Sequence, residues 1–472
     1  MRIFFAAGEA APLVKVGGLG DVTSALTKEL ARHGHEVWLL IPRYRGLPRT
    51  DPIWRTRVRF AGTEVAVDVS GAGTHHGVGY LAVGYPSGLE WLGSGGYQDG
   101  GVLPYLLLSR AVAEFARHPD WPGDVLHCHD WQFAHAVAYL ARSADPGAGC
   151  RTVLTIHNLA YQGRLPARLA ADLRRAGYPE DTLLAQGISC ADVVTTVSGR
   201  YREETLTPAH GNGLDPLLNG RGADYRGILN GLDYDEFNPA TDPYLPFHYD
   251  VENLAGKAQD KAELQRISGL PGRPDVPVLG FVGRLVRQKG PELLLAAADR
   301  LAGRGVQLVV VGRGAEFEAA FEQARERCPD LAFHPDSSEQ MARLLYAGSD
   351  LLLAPSAFEP CGLAPLIALR YGSVPVVHHI GGMAETVGDT RLGFSFADYA
   401  VDPFVQAITG ALAHWRAGPA WRVRQAAGMR ARFGWDDAIA GYLRAYHPAG
   451  RGDRGPDAAD GVVPPRPASG VG

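Results

Sequence analysis

Short apolar runs rich in β-forming residues alternate with helical patterns along most of this chain, and no other feature constrains its fold as strongly. Such alternation is typical of parallel α/β sheets, because a connection between parallel strands needs a crossover segment. The alternation occurs once in each half of the 472 residues, which predicts two Rossmann-like domains. The predicted strands are 2–7, 36–41, 125–127, 152–156, 193–197, 276–282, 307–311, 351–354 and 374–377. The predicted helices are 21–33, 103–117, 131–142, 292–302, 340–348 and 435–446.

Breaks in this pattern predict how the chain is divided. Three prolines within residues 238–246 block helix formation and remove backbone donors, which favours a linker. The last residues are rich in Gly, Pro, Ala, Asp and Arg without apolar periodicity, so we expect them to be disordered. A glycine-rich, alternating segment near 55–101 predicts a β insertion. The predicted units are a first domain 1–237, a linker 238–250, a second domain 251–430, a C-terminal helix 431–446 crossing back to the first domain, and a tail 447–472.

Composition excludes several classes of protein. The formal net charge of −5 gives no basic face for nucleic acid. Five cysteines, an odd number without a CxxC pair, argue against a disulfide framework or a zinc site and fit a reducing cytosol. The first apolar run meets Glu9 too early for a signal peptide, and no apolar stretch approaches the roughly 20 residues of a membrane span. We therefore expect a soluble, cytoplasmic protein.

A glycine-rich loop, residues 15–22 (Lys-Val-Gly-Gly-Leu-Gly-Asp-Val), follows the first predicted strand. Glycines let the backbone approach a ligand closely, and the helix that follows directs free N–H groups at an anion. The spacing is neither that of a dinucleotide-binding loop nor that of a Walker loop. An ordinary tight strand–helix turn remains the alternative.

Polar residues also follow two later strands of the first half. Asp130 and Trp131 come after one strand, and the segment 157–163, which contains Tyr161, comes after the next. Sugars need paired donors and acceptors for their hydroxyls and an aromatic ring for their apolar face, so we expect Asp130, Trp131 and Tyr161 to contact a sugar or acceptor. A metal site at His127, His129 and Asp130 is the alternative, although neighbouring strand residues face opposite sides.

The second half carries three further loops of this kind. Three cations, Arg284, Arg287 and Lys289, stand between a strand and a helix, an arrangement suited to a diphosphate rather than to a solvated turn. The segment 356–363 places Glu359 before another helix, where its carboxylate could accept hydrogen bonds from sugar hydroxyls. The glycines at 381–382 form the third loop, a turn that leads into a helix. A nucleophilic role for Cys361 lacks a base near it in sequence.

Taken together, these motifs resemble the glycogen and starch synthase family. The similar segments occur in the family's order and span roughly residues 1–446. They are 15–22, 129–131, 155–163, 228–233, 238–245, 284–290, 358–363 and 433–435.

The resemblance implies an α/β protein of GT-B fold, with two Rossmann-like domains facing each other across a cleft. It implies transfer of glucose from ADP-glucose to the non-reducing end of an α-1,4-glucan such as a glycogen primer, with retention of configuration and without a metal or other cofactor. Neither nucleic acid nor membrane is an expected partner. The implied catalytic residues are His157, Arg284, Lys289 and Glu359. The implied donor-binding residues are Lys15, Gly17, Gly18, Asp21, Asn158, Asn230, Cys361, Gly362 and Leu363.

This chain departs from the family pattern at three places. Ala357 stands where the family usually has Arg, Pro365 where it has Gln, and His378-His379 where it has a basic pair. Each departure removes a cation or a hydrogen-bonding group near the expected donor site. The alternative functions are another GT-B transferase, either of sucrose or trehalose type or dependent on UDP-glucose, and a non-catalytic glucan-binding relative.

Overall fold

The computed structural model describes residues 1–47, 50–60, 63–85, 101–142, 150–335, 338–388 and 392–447. The chain forms two compact units. The first unit comprises Met1–Gly231 together with the segment that begins at Trp435, and the second comprises Leu232–Gly434. Apart from His447, the predicted tail 447–472 lies outside the described residues.

The first unit is built on a nine-stranded sheet with the strand order β3-β4-β5-β2-β1-β6-β7-β8-β9. All neighbours from β5 to β9 pair in parallel, whereas β3, β4 and β5 pair antiparallel. The central strands β1 and β2 are largely buried and mostly apolar, as parallel strands covered on both faces must be. The strands are β1 (Arg2–Ala6), β2 (Glu36–Pro42), β3 (Pro52–Phe60), β4 (Thr63–His75), β5 (Val78–Gly84), β6 (Val125–His129), β7 (Arg151–Ile156), β8 (Val193–Thr196) and β9 (Tyr225–Gly227).

Seven helices in the described part of the first unit lie between these strands. They connect successive parallel strands and bury their apolar faces on the sheet, so the unit has one continuous apolar core. The helices are α1 (Gly18–Arg32), α2 (Leu103–Ala116), α3 (Asp130–Ala141), α4 (Ala167–Arg175), α5 (Leu183–Cys190), α6 (Gly199–Thr205) and α7 (Asp215–Asn219). Within the predicted insertion 55–101, residues up to Gly84 belong to β3, β4 and β5, and residues 86–100 lie outside the described ones.

The second unit contains a six-stranded, wholly parallel sheet with the order β12-β11-β10-β13-β14-β15. The strands are β10 (Val278–Val282), β11 (Gln307–Val311), β12 (Leu331–His334), β13 (Leu351–Ala354), β14 (Val374–His378) and β15 (Phe394–Phe396). The helices are α8 (Ala255–Ile267), α9 (Pro291–Leu301), α10 (Glu318–Arg327), α11 (Glu339–Gly348), α12 (Leu363–Arg370), α13 (Gly381–Met383), α14 (Val401–Arg416) and α15 (Pro419–Arg430). The predicted α/β class is confirmed: each unit has a parallel sheet, which in the first unit is extended by the antiparallel strands β3 and β4.

The proline-rich segment predicted as a linker is anchored in the second unit. Asp242 is 1% exposed and accepts a hydrogen bond from the Tyr371 hydroxyl. It also forms an ion pair with Arg343, whose Nη1 lies 3.0 Å from Asp242 Oδ2. Tyr249 donates to the carbonyl oxygen of Tyr371 at 2.8 Å. These buried polar contacts fix the segment against α11 and the end of α12.

The last helix, α16 (Asp436–Tyr446), belongs to the first unit. Tyr446 is buried there, and its hydroxyl lies 2.8 Å from Nδ1 of His127 on β6. Gly441 permits this packing, because a Cβ at that position would lie 3.2 Å from the Ile228 side chain. The second unit is therefore inserted, along the chain, between two parts of the first.

Candidate functional site

The glycine loop of the first unit runs from the end of β1 to the start of α1. Glu9, only 2% exposed, accepts hydrogen bonds through Oε2 from the backbone N–H groups of Val16 and Gly17, both at 2.8 Å. Thr23 donates to the Glu9 carbonyl oxygen at 2.8 Å. Glu9 therefore anchors the backbone of the loop. Sequence reasoning gave Glu9 no role, although a carboxylate directly after a buried strand and before a glycine loop was an available signal.

Two predicted donor-binding residues meet on this loop. Lys15 Nζ lies 2.9 Å from Asp21 Oδ1, and the side chains are 34% and 23% exposed. Asp21 sits in the first turn of α1, where a carboxylate complements the helix dipole. Gly17 is the N-cap residue of α1, and Gly18 begins the helix. The lysine ammonium is thus held in a defined place while remaining accessible to an anion.

A row of histidines lies at the carboxyl ends of β6 and β7. His129 Nδ1 is 2.8 Å from His157 Nε2, and His127 Nε2 is 2.6 Å from the Thr155 hydroxyl. The rings of His127 and His129 are tilted relative to each other with centroids 4.3 Å apart, and those of His129 and His157 stack with centroids 5.1 Å apart. Burial lowers the pKa of all three histidines, and that of His157 to about 3. All three rings are therefore neutral at physiological pH.

Asp130 fixes the loop that carries His157 and Asn158. Its backbone is in the left-handed region, with φ of 52°, and its Oδ1 accepts from the N–H of His157 at 2.7 Å and of Asn158 at 3.4 Å. Burial raises the pKa of Asp130 to about 7. The structure thus assigns Asp130 a contact with the protein backbone, while its predicted contact with a sugar stays a prediction.

The other residues predicted to contact a sugar or acceptor differ in exposure. Trp131 is 9% exposed and packs in the core, edge-on to Tyr105 and directly against Gly163, where a Cβ would lie 2.4 Å from the indole. Tyr161 is 46% exposed and presents its ring at the surface of the unit. Asn230 is 3% exposed, and among the described residues its Oδ1 has no hydrogen-bond partner.

In the second unit the structure brings Lys289 and Glu359 together. Lys289 Nζ lies 2.5 Å from Glu359 Oε2, which also accepts a hydrogen bond from the Ser356 hydroxyl at 2.9 Å. The two loops are joined by a backbone hydrogen bond from Ala357 N–H to the Gln288 carbonyl oxygen at 2.8 Å. The loops after β10 and β13 therefore form one polar cluster at the carboxyl ends of adjacent strands.

Glycines allow a third loop, after β14, to approach this cluster. Gly381 has φ of 50°, and a Cβ there would lie 1.9 Å from the Glu359 carbonyl oxygen. A Cβ on Gly382 would lie 2.2 Å from the Cys361 carbonyl oxygen. Gly362, with φ of 87°, is the N-cap residue of α12, so Leu363 is its first residue. Cys361 is buried, and burial of this kind makes a thiol a packing group rather than an accessible nucleophile.

The three cations of the loop after β10 have different environments. Lys289 faces Glu359, whereas the exposed Arg287 pairs with Glu316 and lies 5.9 Å from the centre of the Phe317 ring. Arg284 is exposed at the start of the loop. Sequence spacing alone could not separate these three environments.

Two of the departures from the family pattern have structural roles. Pro365 is the third residue of α12, where an N–H would have no partner within the helix, so the proline costs the helix no hydrogen bond. The ring nitrogens of His378 lie 2.8 Å from the Ser356 carbonyl oxygen and 3.1 Å from that of Ala397. His378 thereby ties the loop that precedes Glu359 to the chain after β15.

The described residues contain neither a metal-binding cluster nor a membrane-spanning helix. No group of three or more His, Cys, Asp or Glu side chains there is arranged to hold a metal ion, and this includes the cluster around His127, His129 and Asp130. Within the same residues, no helix is long and apolar enough to cross a membrane.

Comparisons with known proteins cover nearly the whole chain. Residues 2–220 match the starch synthase catalytic domain family, and residues 261–427 match glycosyl transferases group 1. Glycogen synthase 2 of Geobacter sulfurreducens is 39% identical over 490 residues, which cover 96% of this chain and 100% of that protein. A glycogen synthase of Anaeromyxobacter sp. strain Fw109-5 is 39% identical, with 94% of this chain and 99% of that protein covered. The catalytic domain of starch synthase IV from Arabidopsis thaliana, solved with ADP and acarbose, superposes with a TM-score of 0.87 at 29% identity, covering 94% of this chain and 98% of that one.

Proposed function

Since this chain belongs to the family of glycogen and starch synthases, glycosyltransferases of GT-B fold, we propose that its donor is ADP-glucose. The acceptor is the non-reducing end of an α-1,4-glucan, and the configuration at the transferred carbon is retained. The proposal of an adenine nucleotide is supported by the starch synthase IV domain, which was solved with ADP.

The observation that carries the proposal is the cluster of Lys289, Glu359 and Ser356. Lys289 and the Ser356 hydroxyl hold one oxygen of the Glu359 carboxylate in place, so its second oxygen can accept hydrogen bonds from sugar hydroxyls. Ligands of parallel α/β sheets bind at the carboxyl ends of the strands, where this cluster lies. Glu359 therefore holds the glucose ring, and Lys289 stands beside the bond that breaks.

Charge on the leaving diphosphate grows as the glycosidic bond breaks. Cations placed where that charge develops stabilise the transition state more than the ground state. Lys289 and the exposed Arg284 supply such cations in the second unit. The first turn of α12 adds backbone N–H groups at Leu363 and Ala364 and a positive dipole end, although Pro365 contributes no N–H.

The first unit supplies residues for the donor and the sugar. Lys15 is held by Asp21 but remains accessible, so its ammonium can contact a phosphate. The loop fixed by Asp130 presents His157 and Asn158 to the glucose. Tyr161 is the exposed ring available to an acceptor sugar.

One assay tests the proposal. Purified protein is incubated with glycogen and either ADP-[14C]glucose or UDP-[14C]glucose, and label in precipitated glucan is counted. We expect incorporation with the higher kcat/KM for ADP-glucose, and release of the label by an exo-enzyme specific for α-1,4 linkages would show retention. Equal or better kcat/KM with UDP-glucose would contradict the proposed donor. No incorporation from either donor would favour the non-catalytic alternative.

A further inference from the structure

His129 is a buried histidine that the sequence offered only as part of an alternative metal site, and the family resemblance gave it no role. It is fully buried, its ring stacks on Phe5 at 5.4 Å between centroids, and its Nδ1 lies 2.8 Å from Nε2 of His157. Its other nitrogen, Nε2, is buried without a hydrogen-bond partner in the described part of the chain. These contacts constrain the position of one proton.

Two arrangements are possible for a pair of neutral rings in this geometry. If His157 donates from Nε2, then His129 accepts at Nδ1 and must carry its own proton on Nε2, as a buried N–H with no acceptor. If His129 donates from Nδ1, its Nε2 is unprotonated and is only a buried acceptor without a donor. Orphaned buried N–H groups are rarer than acceptors left without a donor, so the second arrangement is favoured.

We propose that His129 is a positioning residue that donates from Nδ1 to Nε2 of His157 and so keeps the proton of His157 on Nδ1. No described atom is hydrogen-bonded to Nδ1 of His157, whose ring is half-buried. His157 then offers this N–H to an acceptor oxygen of the bound sugar. The tautomer follows from the protein alone, whereas the contact with sugar rests on the proposed function.

The surroundings keep this donor in place. Asp130 holds the His157 backbone through its N–H at 2.7 Å, so the ring has one fixed anchor in addition to His129. Burial lowers the pKa of both histidines, so neither ring takes up a second proton that would remove the distinction between donor and acceptor. A neutral His157 with a fixed N–H binds a hydroxyl oxygen without carrying a charge next to the reacting sugar.

Nuclear magnetic resonance reads the tautomer directly. Protein labelled with 15N in its 16 histidines gives long-range ring correlations that distinguish a protonated Nδ1 from a protonated Nε2. The His157→Asn variant assigns the signals of that ring. We expect His157 with its proton on Nδ1 and a bare Nε2. A proton on Nε2 of His157 in the wild-type protein would overturn the inference.

Variants then test whether His129 is the cause. His129→Phe keeps an aromatic ring in the stack but removes the donor, so we expect mixed tautomers at His157 and about a tenfold loss in kcat/KM, the effect of one misplaced hydrogen bond. His129→Asn can place an amide N–H near the Nδ1 position, so it should restore the single tautomer and most of the activity. If His157 stays wholly protonated on Nδ1 in the His129→Phe variant, the positioning role of His129 is contradicted.

A matched control separates this effect from loss of a buried ring. His135 on α3 is equally buried in the same unit but pairs with Gln186 at 2.8 Å rather than with His157. His135→Gln should leave the His157 signals and kcat/KM unchanged. If wild-type protein transfers no glucose yet shows the expected tautomer, the proposed function fails and the tautomer assignment stands.

Discussion

One carboxylate oxygen of Glu359 serves both Lys289 and Ser356, which leaves the other oxygen for a ligand. We expect Glu359→Ala to lower kcat by about 30- to 1,000-fold, since the lost hydrogen bonds to the sugar contribute roughly 2–4 kcal/mol to the barrier. The measurement is steady-state transfer to glycogen, with folding checked by circular dichroism. Glu316→Ala, which breaks the exposed pair with Arg287, is the matched control and should stay near wild type. Half of wild-type turnover in Glu359→Ala would refute its role.

We propose that Lys289 and Arg284 take the part that magnesium plays in many other transferases. We expect Lys289→Ala and Arg284→Ala each to lower kcat at least about a hundredfold, and more than they raise the donor KM, because leaving-group charge is largest in the transition state. Arg287→Ala removes a neighbouring cation that pairs with Glu316 and should have little effect. Activity should also survive excess EDTA. Loss of activity in EDTA with recovery in magnesium would show that a metal is the main electrophile.

At the scale of elements, three loops converge in the second unit because glycines leave room for backbone atoms. Gly381→Ala would place a Cβ 1.9 Å from the Glu359 carbonyl oxygen, at a residue with positive φ. The loop must shift, so we expect at least a tenfold loss of kcat/KM together with a lower melting temperature.

The matched control for this change is another glycine of the same unit. Gly410 lies inside α14, and a Cβ there would have no atom within 4 Å. Gly410→Ala should raise stability by about 0.5–1 kcal/mol, because alanine loses less backbone entropy in a helix, and should leave transfer unchanged. Comparable activity in the two variants would show that the close approach of the loop after β14 is dispensable.

The elements with long buried apolar runs were readable from the sequence, whereas many shorter or more polar ones were not. Predicted strands and helices that contain long buried apolar runs, such as β1, β11 and α2, agree with the structure within about three residues. The short strands β12 and β15 and the polar helix α8 were missed, because four or three residues give no period and α8 has no apolar stripe.

The site was readable only in part. Strand-end motifs marked Glu359, Lys289, Lys15 and His157, because polar residues after buried strands are visible in sequence. The supporting contacts of Glu9 and His129 were not, since they depend on which backbone N–H or ring nitrogen each side chain meets in space. The packing of Trp131 was not readable either, because an aromatic side chain suits both stacking against a sugar and burial in a core.

At the scale of the whole molecule, acidification should destabilise the first unit in particular, because four histidines with lowered pKa values lie buried there. They are His127, His129, His135 and His157. His135 shows the cause: Arg110 donates to its Nε2 at 3.3 Å and Gln186 lies 2.8 Å from its Nδ1, so both nitrogens are occupied in the neutral form. Burial and Arg110 lower its pKa from 6.5 to about 3.

Proton uptake on unfolding decides whether acid raises or lowers the stability of the folded state. Above pH 6.5 both states are neutral at His135, whereas between pH 6.5 and 3 only the unfolded chain binds the proton, so stability falls. From pH 7.5 to 5.5 this difference at His135 should lower the free energy of unfolding by about 1.4 kcal/mol. Hydrogen exchange followed by mass spectrometry should show loss of protection in Met1–Gly231. His135→Gln should lose about 1.4 kcal/mol less on acidification, and an identical pH dependence would contradict this account.

The late position of α16 has a consequence for synthesis on the ribosome. The chain leaves the first unit at Gly231 and returns to it only at Trp435, roughly 200 residues later. At about 5–20 residues per second, the nascent first unit waits on the order of 10–40 s before the Tyr446 hydroxyl can reach His127. During that interval the face that α16 will cover is open to solvent and to chaperones. The second unit, whose sequence is continuous, can therefore finish folding before the unit that begins the chain.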